Sequence, residues 1–116
     1  MVSQPPHLDS GSNEPHDERA YWHERAAREP PIVAPDGTVL RFTGHSLMQT
    51  FRRGLSIQDV HDTIEAARPT QYYHKSERKI GYYDALTSIF VGSAESSGRI
   101  TTVIRNVSPD YVRGLR

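Results

Sequence analysis

The hydrophobic pattern of this chain changes its period at Pro69, and this change restricts the folds that the chain can adopt. In the preceding segment LSIQDVHDTIEAARP, apolar residues recur at spacings of three and four, which is typical of an amphipathic helix. Ser56 stands at the expected N-cap, and Asp59 stands three residues later at the position of a capping box. Past the proline, apolar and polar residues alternate in short segments, as they do in strands. We therefore expect helices that precede a sheet.

Four segments after Pro69 have the composition of β-strands: TQYYHK, KIGYYD, LTSIFVGS and GRITTVIRN. Short polar turns separate them, so consecutive strands are expected to pair in an antiparallel way. The final SPDYVRGLR predicts one closing helical turn, with Ser108 as its cap and Pro109 at its first position. The predicted fold is α+β, with N-terminal helices packed on one face of a four-stranded antiparallel β-sheet meander.

Two further helices and a turn are expected before the clear helix. The segment ERAYWHERAARE, residues 18–29, predicts a short helix that is anchored by Tyr21 and Trp22 and ended by two prolines. A PDG turn between PIVA and TVLRF indicates a hairpin or a lead-in strand. HSLMQTFRRG then predicts another short helix, with Gly54 as its C-terminal cap.

The first 18 residues differ from the rest in composition. They are rich in Pro, Ser, Gly, Asn, Asp and Glu, and such a segment is typical of a flexible, disordered leader or linker. We expect one domain, at residues 19–116, because a chain of this size supports a single core. The sequence has no cysteine, no apolar run long enough for a membrane span and no signal-peptide pattern, so membrane insertion by this domain is not expected.

The charge is unevenly distributed although the net charge is zero. Residues 1–40 hold 3 Lys/Arg against 7 Asp/Glu, a balance of −4, and the remaining 11 against 7 give +4. A basic C-terminal part suits an anionic partner such as nucleic acid. An ordinary solvated surface is the simpler alternative.

Aromatic and cationic side chains are concentrated in the predicted hairpin YYHKSERKIGYYD. Side chains alternate across a strand, so each tyrosine pair sends one ring into the core and the other toward solvent. The exposed set of the first strand is Tyr73 with Lys75 or, if the register shifts by one residue, Tyr72 with His74. Tyr83 is assigned to the exposed set of the next strand. Exposed rings and cations suit single-stranded RNA, whereas the same residues on a sheet face can serve solubility alone.

The last strand, GRITTVIRN, predicts two different faces by the same alternation. The face expected to contact the helices has Ile100, Thr102 and Ile104. The other face has Arg99, Thr101, Val103 and Arg105. The solvent side of this strand would therefore carry two arginines and a hydroxyl.

His45 is the candidate for acid–base chemistry. In TGHSL it stands between a strand and a helix, where backbone N–H groups are free and a ring can face a cleft. The alternative is that His45 caps its own helix, and His61 is expected to be a solvated helix residue. Neither a metal site nor a cofactor is expected, because histidines and carboxylates do not stand at ligand spacing and the sequence has no Gly-rich phosphate loop.

Three stretches of this sequence resemble the C-terminal toxin domains of bacterial contact-dependent inhibition and related polymorphic toxin systems: GHSLMQTFRRGLSIQDVHDTI, YYHKSERKIGYYDALTSIFVGS and GRITTVIRNVSPDYVRGL. More broadly, they are similar to the barnase/EndoU/colicin/RelE-like ribonuclease fold, in which helices precede a four-stranded antiparallel sheet. The resemblance covers about residues 38–116.

The resemblance implies a metal-independent endoribonuclease, often one that cuts tRNA, in which the RNA 2′-hydroxyl attacks its own phosphodiester to give a cyclic phosphate. His45 matches the histidine that opens the first helix and would be the acid or base. Tyr73 and Lys75, or His74 in the shifted register, match the tyrosine-rich strand and would stack a base or transfer a second proton. Thr101, or Thr102 as the second choice, matches the hydroxyls of the last strand and would hydrogen-bond the phosphate. The expected substrate-binding residues are Arg52, Arg53, His74, Tyr83, Arg99 and Arg105.

The same resemblance implies a cognate immunity or antitoxin protein that is acidic where it covers the basic face. It also implies delivery as the end of a larger secreted effector that acts in the target-cell cytoplasm, or else a free cytoplasmic toxin. Two other classes of function remain open. One is a non-catalytic module that binds RNA or protein, and the other is a structural component of a phage or a secretion system.

Overall fold

The computed structural model describes residues 15–115, which form four helices and six strands. These are α1 (Pro15–Arg28), β1 (Ile32–Val33), β2 (Val39–Phe42), α2 (Gly44–Arg52), α3 (Ile57–Ala66), β3 (Thr70–His74), β4 (Glu77–Asp84), β5 (Ile89–Ala94), β6 (Arg99–Ile104) and α4 (Pro109–Arg113). Because α1 begins at Pro15, residues 15–18 of the predicted leader lie in its first turn. Residues 1–14 of that leader lie outside the described residues. None of the helices in residues 15–115 is long and apolar enough to cross a membrane.

The six strands form one mixed sheet in the order β1-β2-β6-β5-β4-β3. The four strands β3 to β6 are consecutive antiparallel neighbours. The predicted fold of a four-stranded antiparallel meander is nevertheless wrong, because β2 lies parallel to the outer edge of β6, with Arg41 opposite Arg99. A sheet that ended at β6 would leave a row of unpaired backbone groups. β2 satisfies part of this row, and the Arg41 N–H donates to the Gly98 carbonyl at 2.9 Å.

Gly98 makes the approach of β2 to β6 possible. It closes the turn between β5 and β6 with a φ of 75°, in the left-handed region that favours glycine. A Cβ at this position would overlap the carbonyl oxygen of Val39 in β2. A glycine is therefore required here for two reasons, its backbone conformation and the close contact of two strands.

Thr43 connects β2 directly to α2. Its Oγ1 accepts from the Ser46 N–H at 3.0 Å, and the Ser46 hydroxyl accepts from the Thr43 N–H at 2.9 Å, which completes a capping box. Thr43 Oγ1 also donates to the Ile100 carbonyl of β6 at 2.8 Å. The first turn of α2 is thus fixed to the sheet. In α3, the predicted N-cap Ser56 and capping-box residue Asp59 are confirmed.

The main core lies between the helices and one face of the sheet, which we call the helix face. Its buried members come from the first three helices, from every strand except β3 and from the loops at Ala34 and Leu55: Ala26, Ile32, Ala34, Leu40, Phe42, Leu47, Leu55, Val60, Ile64, Tyr82, Ile89, Val91, Ile100 and Val103. α1 packs on α2 through Trp22, whose ring stacks on Phe51 with centroids 5.8 Å apart. The Arg25 guanidinium lies over both rings. This agrees with the predicted role of Trp22 as an anchor.

The opposite face of the sheet, which we call the α4 face, has a smaller core under α4. Tyr72, Phe90 and Val107 are buried there, and the partly buried side chains that pack on them are Tyr83, Ile104, Val112 and Leu115. The predicted cap of α4 is confirmed, because Ser108 accepts from the Tyr111 N–H and Pro109 begins the helix. The rest of the α4 face is not covered by α4 and contains the polar residues described below.

A β-bulge in β6 changes which side chains face the helices. Ser93 of β5 lies opposite Ile100, whereas the next pair joins Gly92 to Thr102, so Thr101 is an extra residue in β6. Ile100 and Val103 are therefore both in the helix-face core. The strict alternation that we expected for this strand, with Thr102 toward the helices and Val103 toward solvent, is wrong because the ladder is interrupted.

Candidate functional site

Lys79 is an unusual residue on the α4 face, because its side chain is only 8% exposed and lysine is rarely buried. It lies in β4 opposite Tyr72 of β3. Its Nζ is 3.4 Å from the Thr101 hydroxyl and 3.4 Å from a carboxylate oxygen of Glu77. An ammonium group has three N–H donors, and these two acceptors are its partners among the described residues. One N–H of Lys79 therefore has no hydrogen-bond partner among the described residues.

The bulge places two consecutive hydroxyls of β6 on the α4 face, beside Lys79. Thr101 donates to the Gly92 carbonyl at 3.2 Å and lies next to Nζ of Lys79. The Thr102 hydroxyl lies 3.4 Å from Oε1 of Gln49, which belongs to α2. The two threonines thus connect β4 on one side to α2 on the other.

The ring of Tyr72 lies across a pair of glycines on the same face. Gly81 and Gly92 are directly opposite each other in β4 and β5. A Cβ at Gly81 would lie 3.2 Å from the Tyr72 ring, and one at Gly92 would overlap the Tyr72 hydroxyl and approach a Thr102 methyl to 2.9 Å. The absence of side chains at these two positions lets the phenol extend toward β6. Its hydroxyl makes no hydrogen bond among the described residues.

Burial raises the pKa of Tyr72 to about 12, with a smaller contribution from Tyr111. The folded protein therefore holds this proton more tightly than the unfolded chain, in which the group titrates near 10.0. The resulting stabilisation is complete below about pH 10 and is lost as the pH rises toward about 12.

We expect the free energy of unfolding to fall more steeply over this alkaline range in the wild type than in Tyr72→Phe. Urea denaturation at successive pH values measures it, with Tyr73→Phe as the exposed control, which should behave like the wild type. Parallel curves for the wild type and Tyr72→Phe would show that the Tyr72 phenol is not buried.

Arg41 and Arg99 place two exposed guanidinium groups next to each other at the end of the same face. They are opposite each other in the parallel pair of β2 and β6, a position where like charges are unfavourable. Neither forms an ion pair with a carboxylate in residues 15–115. Extending the pairing of β5 with β6 by one residue puts Arg99 opposite Ala94, and Ala94 lies opposite Lys79 of β4. The Cα atoms of Lys79 and Arg99 are therefore two strand spacings apart, or about 10 Å. We call Lys79, Arg99 and Arg41 the cationic row, which attracts polyanions.

His45 is held next to β6 by Gln49, one turn further along α2. Oε1 of Gln49 lies 3.0 Å from the Val103 N–H, which can only donate, so the side-chain amide nitrogen must face the other way. That nitrogen lies 3.0 Å from Nε2 of His45. In this contact the amide donates and Nε2 accepts. The helix is capped by Thr43, so the imidazole does not cap its own helix.

His45 also borders a groove between α1 and α2. The groove is lined by Glu18, Arg19, Trp22, His23, Gly44, His45 and Met48. Gly44 is in close contact with α1, because a Cβ there would lie 2.9 Å from the His23 backbone nitrogen. The imidazole thus lies between this groove and the edge of β6.

The structure brings some of the predicted catalytic residues together and separates others. His45 and Thr101 belong to the cluster just described. Tyr73 is 60% exposed, on the side of β3 that continues the helix face, opposite Arg78. Lys75 is exposed in the turn between β3 and β4. His74 is exposed on the α4 face, so the observed register is the shifted alternative, in which Tyr72 and His74 share a face with Thr101.

The predicted substrate-binding residues are similarly divided. Arg99 belongs to the cationic row, whereas Arg52 pairs with Glu18 of α1. Arg53 donates to the Val103 carbonyl at 2.5 Å, and Arg105 donates to the Arg53 carbonyl at 2.6 Å. The Tyr83 hydroxyl donates to the Val107 carbonyl at 2.6 Å. In the free protein, Arg53, Arg105 and Tyr83 therefore serve to hold elements together.

Three residues of the cluster were not predicted from the sequence: Lys79, Gln49 and Arg41. The spacing of four between His45 and Gln49 in a predicted helix was a usable signal, because such residues are neighbours on a helix surface. Lys79 follows the same alternation as Tyr83. The alternation therefore placed Lys79 on the correct face, but no role was assigned to it. Arg41 gave no signal, because its position depends on the pairing of β2 with β6.

The fold and the cluster define an α+β domain with a cationic, hydroxyl-rich site on one face of a mixed sheet. Comparison of this chain with protein-family models, with curated proteins and with solved structures finds no match.

Proposed function

We propose that this protein binds RNA across the α4 face and cleaves it without a metal ion. The observation that carries the proposal is that two side chains approach the threonine pair of β6 from opposite sides: buried Lys79 beside Thr101, and His45 linked through Gln49 to Thr102. A phosphate above the two threonines would have a cation on one side and a base on the other. The resemblance noted in the sequence supports the same reaction class.

In the proposed reaction, the 2′-hydroxyl displaces the Gln49 amide at Nε2 of His45 and gives up its proton there. The oxygen then bonds to the adjacent phosphorus, and the bond from phosphorus to the 5′-oxygen breaks, which leaves a 2′,3′-cyclic phosphate. Lys79 and Arg99 stabilise the charge of the phosphorane. The leaving 5′-oxygen takes a proton from solvent water, and the Tyr72 hydroxyl, which stays protonated at neutral pH, donates a hydrogen bond to that oxygen.

The substrate and the partner are further parts of this proposal. We propose tRNA as the first substrate to test, since the resembling toxins often cut it. We also propose a cognate immunity or antitoxin protein, whose acidic surface would cover the cationic row. Delivery within a larger effector and action in the cytoplasm of a target cell follow from the same resemblance.

A second candidate function is RNA binding without cleavage. One observation favours it: Lys79 and His45 already have partners in the free protein, Glu77 and Gln49 respectively. A binding surface needs the charges and the exposed rings but needs no unprotonated imidazole. The two functions therefore differ in what they require of His45.

Incubation of the purified chain with tRNA and with total bacterial RNA in EDTA tests the proposal. We expect discrete fragments with cyclic phosphate ends, and a loss of about 10²–10⁴-fold in cleavage rate for His45→Ala, the usual contribution of a general base. His61→Ala in α3 is the matched control and should cleave like the wild type. If the wild type bound RNA and left it intact, the binding module would be established instead. If the wild type neither bound nor cleaved RNA, both functions would be excluded.

A further inference from the structure

Tyr111 of α4 presents an aromatic ring at the other end of the α4 face from the arginine pair. The residue is 49% exposed. It contacts Phe90 in an edge arrangement, with centroids 6.3 Å apart and an interplanar angle of 84°. The ring of Tyr111 therefore packs against Phe90 while the residue stays partly accessible to solvent.

The position of Tyr111 is fixed by its short helix. The Ser108 hydroxyl accepts from the Tyr111 N–H at 3.2 Å, at the start of the helix. Val112 and Leu115 pack against the small core formed by Tyr72, Phe90 and Val107. A ring that is already ordered loses little conformational entropy when a ligand stacks on it, and rigid aromatic side chains are effective binding anchors for this reason.

Tyr111 lies at a useful distance from the cationic row. Phe90, which it contacts, and Ala94, which lies opposite Lys79, are four residues apart in β5, or about 13 Å. The Tyr72 ring bridges this interval, since its edge contacts Phe90 and its hydroxyl lies over Gly92. The contribution of Tyr111 to the raised pKa of Tyr72 agrees with the closeness of the two phenols. The α4 face thus carries, in order, the Tyr111 ring, the Tyr72 hydroxyl and the cationic row.

We propose that Tyr111 is the platform on which a base stacks further along the same single strand of RNA whose phosphate the cationic row holds. This inference rests on the proposed function and specifies its substrate class. A single strand can offer the flat side of a base to a protein ring, whereas a duplex keeps its bases stacked on each other. The site would therefore select unpaired segments such as loops and ends.

A short 2′-deoxy strand that contains the fluorescent base 2-aminopurine separates this inference from cleavage, because it lacks the attacking hydroxyl. Stacking on a tyrosine is expected to quench the fluorescence on binding. Tyr111→Leu is expected to lose the quenching and to bind about tenfold more weakly, within the range of one stacking contact. Tyr111→Phe, which keeps a ring, should behave like the wild type, and so should Tyr21→Leu, which removes an exposed tyrosine from α1.

Each outcome has one meaning, provided that circular dichroism shows the variants to be folded. Equal affinity and equal quenching in Tyr111→Leu and the wild type would overturn the platform and leave the proposed cleavage untouched. Preference for a duplex over a single strand would also overturn it. A wild type that neither binds the deoxy strand nor cleaves RNA would overturn both the platform and the proposed function.

Discussion

Lys79→Met is expected to reduce the rate of RNA cleavage by about 10²–10³-fold, the usual effect of removing one preorganised donor to a developing negative charge. Methionine has a similar length and leaves no unpaired buried charge, because the carboxylate partner Glu77 has a side chain that is 56% exposed. We therefore expect the variant to stay folded. Single-turnover cleavage measures the rate, and chemical denaturation measures the stability.

Lys75→Met is the matched control for this prediction. The two lysines are four residues apart in the sequence, but Lys75 lies exposed in a hairpin turn and Lys79 lies buried beside Thr101. The control should cleave RNA at close to the wild-type rate. If Lys75→Met lost activity and Lys79→Met kept it, the site would be at the tip of the hairpin and the proposed cluster would be wrong.

Gly98→Ala is expected to lower the free energy of unfolding by about 2–5 kcal/mol, by adding left-handed backbone strain to overpacking. The added methyl would meet the Val39 carbonyl, which is backbone and cannot rotate away. β2 would have to move from β6, and Arg41 would lose its place next to Arg99. RNA affinity should therefore fall together with stability, and urea denaturation and a binding titration measure the two effects.

Gly37→Ala separates the two causes. Gly37 also has a positive φ, of 91°, but a Cβ there would have nothing within 4 Å. This control should lose only the conformational part, about 1–2 kcal/mol, and should bind RNA like the wild type. Equal losses of stability in the two variants would show that the contact between Gly98 and Val39 does not matter for the pairing of β2.

The parts of the fold that depend on local chemistry could be predicted from the sequence. The capping box of α3, the cap of α4 and the four consecutive strands each result from residues that are close in the chain. The parallel pairing of β2 with β6 joins residues that are 58 positions apart, Arg41 and Arg99. An alternating pattern indicates that a segment is a strand but does not indicate which strand it pairs with. The predicted sheet therefore had four strands and lacked β1 and β2.

The site was partly predictable for a similar reason. His45 was singled out by residue type and by its place between a strand and a helix, and Thr101 was singled out by the resemblance. The remaining residues depend on register: an extra residue in β6 moved Thr102 to the α4 face, and the pairing of β3 with β4 put Tyr72 there rather than Tyr73. Alternation has a period of two only while the ladder is unbroken, so one inserted residue reverses every later assignment in the strand.

The two contacts of Gln49 require α2 and β6 to be aligned with each other. Its side-chain amide contacts two groups at once, the backbone N–H of Val103 in β6 and the imidazole of His45. A small slide of α2 along the strand would break both hydrogen bonds together. In the proposed reaction, the orientation of His45 therefore depends on the contact between α2 and β6.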